Sequence, residues 1–147
     1  MQIPHDAFVV VADGRKVLFL RNEGDAVYPN LILDRKREQD NPPAHEQGTD
    51  GPGRSFSSVG PGRSSYEETD FHQLEEDRFA VETAELLKKR ALNNDFESLI
   101  IVAPPKTLGE LRKHYHVSVS EKLTGELAKD LTGHTVPQIE EALLKAE

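Results

Sequence analysis

The chain has 147 residues, the length of one domain, and 36% of them are hydrophobic, which is enough for a modest core. It contains no cysteine, which excludes a disulfide framework, thiolate zinc sites and cysteine nucleophiles. The formal net charge of −8 disfavours nonspecific binding of nucleic acid by the surface as a whole. No basic and apolar leader opens the sequence, and no apolar run approaches the ~18 residues that span a bilayer. We therefore expect residues 1–147 to form a single cytoplasmic domain that does not enter a membrane.

Three short apolar segments open the chain and predict an antiparallel meander. Residues 7–12 and 16–21 are rich in Val, Leu and Phe, and Asp13-Gly14 lies between them. Asp-Gly is a strong hairpin signal because the type I′ turn needs positive φ. A third strand is predicted at residues 30–36, where apolar and polar residues begin to alternate.

Residues 40–66 are polar and contain a repeated motif. Gly-Pro-Gly-Arg-Ser occurs at residues 51–55 and again at residues 60–64. Because each proline removes a backbone donor and each glycine costs backbone entropy, the repeats predict turns rather than a helix or a central strand. A structureless segment of this length in a compact domain is typical of a functional or disordered loop. We therefore predict a long flexible loop over residues 40–66.

The remainder of the chain predicts alternating helices and strands. A helix should begin at Asp70, which with Gln73 resembles a capping box, and should end at Asn93. The continuous apolar run at residues 98–104 is typical of a strand covered on both faces. Three further elements follow, a helix at 107–115, a strand at 123–128 and a helix at 136–146. Strand–helix repeats imply parallel neighbours, so the predicted class is α/β, with a mixed sheet that opens as an antiparallel meander and continues as α-β-α-β-α.

Five segments of the chain occur in the order found in one known family. They lie at residues 9–24, 53–58, 75–87, 99–115 and 126–133. The most specific pieces are Ala103–Arg112 and Lys129–Thr132. Together these segments resemble the bacterial host-attachment protein family, which is similar in turn to the middle domain of the eukaryotic and archaeal class-1 release factors and of Pelota. The resemblance implies the ribonuclease-H-like fold of translational machinery components.

The same resemblance directs attention to the middle loop. In release factors, the loop before the long helix carries a Gly-Gly-Gln motif, followed by Ser, that enters the peptidyl-transferase centre. Residues 60–64 occupy the corresponding place here, and none of the glutamines of the chain follows Gly-Gly. The resemblance therefore implies a relative of release factors that lacks the peptidyl-tRNA-hydrolysing signature.

The repeated turns also predict a phosphate site on the loop. Arginine is a planar fork suited to phosphate, and glycine lets backbone amides approach an anion. The candidate residues are Arg54, Ser55, Arg63 and Ser64, and the candidate partner is RNA phosphate on the ribosome or on another structured RNA. The alternative is a solvated loop whose arginines pair with the acids of residues 67–77.

Two other patterns suggest metal chemistry. A metal-dependent nuclease would need clustered carboxylates for Mg²⁺, and the candidates are Asp13, Asp34 and Asp130. The Asp-Gly setting of Asp13 favours a hairpin turn instead. His114 and His116 would point apart on a helix and are predicted to be surface residues. We therefore predict no metal, no cofactor and no catalytic residue.

The sequence as a whole predicts a noncatalytic binding module of the host-attachment family that associates with the ribosome or RNA through residues 50–66. One alternative is a metal-dependent hydrolase or nuclease on the ribonuclease-H-like fold. The other is an indirect host-cell attachment factor, since direct adhesion at the cell surface conflicts with the lack of an export signal in the sequence.

Overall fold

A computed structural model of the chain describes residues 1–38 and 61–146, with the side chains of residues 1–34 and 73–146. The strands are β1 (Phe8–Ala12), β2 (Lys16–Asn22), β3 (Leu31–Glu38), β4 (Leu99–Val102) and β5 (Leu123–Leu127). The helices are α1 (Pro61–Leu92), α2 (Pro105–Arg112), α3 (Val117–Ser120) and α4 (Val136–Lys145). The strands form one five-stranded mixed sheet, so the predicted α/β class is confirmed.

The sheet combines an antiparallel and a parallel half, in the order β3-β2-β1-β4-β5. Strand β2 pairs antiparallel with both β1 and β3, which confirms the predicted opening meander. Strand β4 pairs parallel with β1, with Phe8 opposite Leu99, and β5 pairs parallel with β4. The carboxyl ends of β1, β4 and β5 therefore lie side by side at one end of the sheet, which is called the carboxyl edge below.

The core is divided between the two faces of the sheet. Phe8 and Val10 of β1 belong to the apolar cluster beneath α1, α2 and α3, whereas Val9 and Val11 belong to the cluster beneath α4. All four residues of β4 are buried, as predicted for a strand covered on both faces. Burial of an apolar side chain of this size contributes about 1.5–3 kcal/mol, so the two central strands hold the helical layers together.

The start of α1 differs from the prediction. The helix begins at Pro61 rather than at Asp70, so the predicted capping-box start was wrong. Proline is favoured at the first helical position, where its missing N–H needs no partner and its fixed φ suits the helix. Residues 61–66 of the predicted loop are therefore helical, and the second Gly-Pro-Gly-Arg-Ser repeat leads into a helix. Residues 40–60 of that loop, with the first repeat, lie outside the described residues.

The packed part of α1 buries one stripe of the helix against the sheet. The buried residues on this stripe are Phe79, Ala80, Thr83, Ala84, Leu87 and Ala91. No helix within residues 1–38 and 61–146 has the length and the apolar character to cross a membrane.

The end of α1 lies where it was predicted, at the pair Asn93-Asn94. Asn94 adopts the left-handed conformation, with φ of 56°. Its N–H donates to the carbonyl of Ala91 at 3.0 Å, and the N–H of Asp95 donates to the carbonyl of Arg90 at 2.9 Å. This pair of hydrogen bonds is the Schellman motif, in which asparagine is accepted in place of glycine.

Two short helices also depart from the prediction. Helix α2 begins at Pro105 and its N-cap is Pro104, without a side-chain cap, so the predicted start at residue 107 is wrong. Proline again takes the first helical position. Helix α3 was not predicted, because a single turn has too few residues for a periodic pattern. His116 caps it, since its Nδ1 accepts from the N–H of Ser118 at 3.1 Å.

Candidate functional site

The first hairpin and the Lys129–Thr132 segment meet at the carboxyl edge of the parallel strands. Asp13 follows β1, and Asp130 and Thr132 follow β5. The Thr132 hydroxyl lies 3.0 Å from Asp13 Oδ2 and 2.8 Å from Asp130 Oδ1, so it can donate to either carboxylate. In open α/β sheets, ligands bind outside the carboxyl ends of the strands, so this edge is the candidate functional site.

Both carboxylate oxygens of Asp13 make contacts at this edge. Its Oδ1 accepts from the backbone N–H groups of Arg15 and Lys16, both at 2.7 Å, and its Oδ2 faces Thr132. Asp13 does not have the positive φ that a type I′ turn needs. The predicted hairpin is therefore confirmed, but its turn is built by the Asp13 carboxylate rather than by left-handed backbone. The same carboxylate holds the segment after β5 against the hairpin.

The three carboxylates considered for a metal are not brought together. Asp130 lies near Asp13 and also accepts from the backbone N–H of Thr132 at 3.2 Å. Asp34 is instead bound to Arg90, with Nη1 2.6 Å from Asp34 Oδ2. Within residues 1–34 and 73–146, whose side chains the structure describes, no three His, Asp or Glu side chains come close enough to hold a metal ion.

Helix α1 closes one side of the carboxyl edge. A Cβ placed on Gly14 would lie 2.8 Å from Glu76 Cδ, so the glycine lets the helix approach the hairpin. Lys106 Nζ donates to Gln73 Oε1 at 2.5 Å, and Gln73 Nε2 donates to Asp77 Oδ1 at 3.0 Å. A cavity of about 10 Å³ remains between these elements, the space of one water molecule. This side of the edge is therefore filled by hydrogen-bonded side chains.

An ion pair links α2 to β5 beside the edge. Arg112 Nε and Nη2 donate to Glu126 Oε1 at 3.1 and 2.5 Å. The hydrogen bond and the charge of Glu126 raise the pKa of Arg112, and burial raises the pKa of Tyr115. Arg112 and Tyr115 therefore each keep one protonation state around neutral pH. The ion pair between Arg112 and Glu126 is a structural link between α2 and β5.

An open depression of about 450 Å³ lies on the other side of the edge, between the end of β5 and α4. Leu127 and Ala142 provide apolar surface, and Lys129, His134 and Lys145 provide basic groups. Sequence reasoning missed this depression because its residues come from separate segments that only the packing of α4 brings together. The available signal was Lys129 in the Lys129–Thr132 tetrad.

The predicted phosphate-binding residues lie at and before the start of α1. Arg54 and Ser55 are outside the described residues. Arg63 and Ser64 belong to the first turn of α1, where the structure describes the backbone but not the side chains. Their role in phosphate binding stays a prediction.

The antiparallel meander, the long helix and the two strand–helix repeats define an α/β protein with one mixed sheet. The sequence matches the model of bacterial archaeo-eukaryotic release factor family 12 over residues 6–143, and the chain belongs to that family. A comparison with curated proteins gave no match. The predicted relationship to release factors is confirmed. The link to host attachment and the ribonuclease-H-like classification stay predictions.

Proposed function

We propose that the chain is a noncatalytic binding module that associates with the ribosome or with another structured RNA through residues 50–66. The observation that carries this proposal is the match over residues 6–143 to a family that is named for release factors. A translation-related binding role agrees with that name. Within residues 50–66, Arg54 and Arg63 are the proposed phosphate contacts, with Ser55 and Ser64 as hydroxyl donors.

The attachment of this segment to the fold supports the proposal. Strand β3 pairs with β2 as far as Glu38, and α1 begins at Pro61, so residues 39–60 connect two elements of the fold. Helix α1 begins about four turns before its contact with Gly14. Its later turns are buried against the sheet from Phe79 onward. The proposed RNA-binding segment thus lies in the chain between a strand of the sheet and a helix that packs on the sheet.

The noncatalytic part of the proposal rests on two observations. No glutamine follows Gly-Gly anywhere in the chain, so the residues that the release-factor resemblance associates with peptidyl-tRNA hydrolysis are missing. Asp13 is the first candidate for metal-dependent hydrolysis. Its Oδ1 accepts the two backbone hydrogen bonds that build the hairpin, and its Oδ2 faces the Thr132 hydroxyl.

Ribosome co-sedimentation tests the proposal. Replacing both Arg54 and Arg63 with Gln should weaken binding and reduce the slope of log affinity against log salt by about two units, because about two phosphate contacts are lost. The matched control replaces Lys88 and Lys89 with Gln, which removes the same charge from the last part of α1. Equal distribution of wild type and the Arg54/Arg63 variant between ribosome and supernatant would contradict the proposed contacts.

An incubation with labelled RNA and Mg²⁺ or Mn²⁺ tests the noncatalytic assignment. We expect no turnover. Turnover that Asp13→Asn abolishes, in a variant that keeps its melting temperature, would replace the proposal with a metal-dependent hydrolase.

A further inference from the structure

The depression between β5 and α4 has a regular construction. Gln138, Glu141, Ala142 and Lys145 of α4 line it at helical spacing, so they share one face of that helix. Leu127, at the carboxyl end of β5, forms part of the opposite wall. The result is a concave surface of about 450 Å³ with an apolar part and polar groups around it. A concave surface of about this volume is large enough for a small molecule.

The lining of the depression contains two lysines, one histidine and one acidic residue. Among the described residues, the side chains of Lys129 and His134 have no hydrogen-bond or ion-pair partner. The acidic residue in the lining, Glu141, accepts from Lys145 Nζ at 3.1 Å, so its charge is compensated locally. The chain as a whole carries a net charge of −8. A concave surface that gathers basic groups on an acidic chain concentrates anions there.

The capping box of α4 orients a further donor. Gln138 Oε1 accepts from the backbone N–H of Thr135 at 2.9 Å, and Thr135 Oγ1 accepts from the backbone N–H of Gln138 at 3.3 Å. This arrangement uses the amide oxygen of Gln138 as an acceptor, and its Nε2 group, with two hydrogens, has no hydrogen-bond partner among the described residues. A ligand with several acceptor oxygens matches such a donor.

We propose that this depression binds a phosphate group through the side chains of Lys129, His134 and Gln138. A phosphate offers several strong acceptor oxygens, and hydrogen bonds between charged partners are short and strong. Lys145 lies at the edge of the site and adds positive charge, although it is already paired with Glu141. The phosphate belongs to a free nucleotide or to an RNA backbone. An RNA phosphate at this site would rest on the proposed function, whereas a nucleotide phosphate would not. In both cases the contacts are made by the depression and not by residues 50–66.

Nuclear magnetic resonance titration of the full chain tests the site with inorganic phosphate, AMP and a structured RNA hairpin, each at constant ionic strength set with chloride. Inorganic phosphate should shift the side-chain amide signal of Gln138 and the backbone amide signals of Lys129 and His134. The double variant Lys129→Gln/His134→Gln should bind phosphate at least about tenfold more weakly, because the loss of the Lys129 charge-assisted hydrogen bond alone accounts for about tenfold and the His134 contact is lost as well. The matched control is Lys89→Gln/His114→Gln, which changes an exposed Lys and an exposed His elsewhere and should bind as wild type.

The three ligands separate the two sources. Tighter binding of AMP than of phosphate, lost in the double variant, assigns the site to a nucleotide. RNA that shifts the same signals and loses affinity in the double variant assigns it to RNA. Unchanged phosphate binding in the Arg54→Gln/Arg63→Gln variant is expected in either case, so a failure of the ribosome experiment leaves this test intact. Phosphate that moves no signal of the depression, or that binds wild type and the double variant equally, would overturn the proposal.

Discussion

Arg90 joins the end of α1 to the sheet, and its replacement by Met should destabilise the fold. The guanidinium lies over the ring of Phe8, 4.9 Å from its centroid, and over the ring of Phe19 at 5.5 Å. Its Nη1 also lies 2.6 Å from Asp34 Oδ2 and 3.1 Å from Asp95 Oδ2. Arg90→Met keeps most of the apolar length of the side chain and removes the charge and its donors. The variant therefore isolates the polar contacts.

The magnitude follows from the exposure of the partners. The side chain of Arg90 is 21% exposed, but those of Asp34 and Asp95 are 36% and 43% exposed, so solvent weakens both ion pairs. A partly solvated ion pair contributes up to about 1 kcal/mol, and a cation–π contact at this burial contributes about 1 kcal/mol. Because contacts that share one group are not additive, we expect a total cost of about 2 kcal/mol. For a chain of this length, that corresponds to a fall in melting temperature of about 4–8 °C.

Urea and thermal denaturation measure this cost. Arg90→Lys should lose about half of it, because lysine keeps the charge but lacks the planar fork that binds two carboxylates and stacks on rings. A double-mutant cycle with Asp34→Asn should give a coupling free energy of about 0.5–1 kcal/mol. Lys89→Met, at an exposed neighbouring position of α1, is the control. A free energy of unfolding for Arg90→Met that equals the control value would refute the reasoning.

Two further predictions concern the sheet and its carboxyl edge. Ile101 is fully buried in β4, and Ile101→Ala should lower the free energy of unfolding by about 2–5 kcal/mol in urea denaturation; a cost below about 1 kcal/mol would contradict its place in the core. Thr132→Val removes the hydroxyl between Asp13 and Asp130 and should cost about 1–2 kcal/mol, whereas Thr132→Ser should keep most of the stability. Equal stability of the Val and Ser variants would show that the hydroxyl contributes nothing.

The strands and the layered arrangement could be predicted because their signals are local. Asp13-Gly14 between two apolar runs indicates a hairpin, and the unbroken apolar run of β4 indicates burial on two faces. The starts of α1 and α2 were misplaced for one shared reason. Pro61 was interpreted as a turn residue, and the helix that contains Pro105 was predicted to begin only at residue 107, whereas both prolines occupy the first helical position, where proline is favoured. Proline favours a helix at its first position and breaks a helix in its interior.

The carboxyl edge could be predicted only in part. Asp13, Asp34 and Asp130 were named together as candidate metal carboxylates, and of these Asp13 and Asp130 meet at the carboxyl edge, whereas Asp34 is bound to Arg90. The link between Asp13 and Thr132 joins residues 119 positions apart, so no spacing in the sequence reveals it. The Lys129–Thr132 tetrad drew attention to this segment only through its resemblance to a family. The depression beside α4 depends on how that helix packs, which side-chain types alone do not specify.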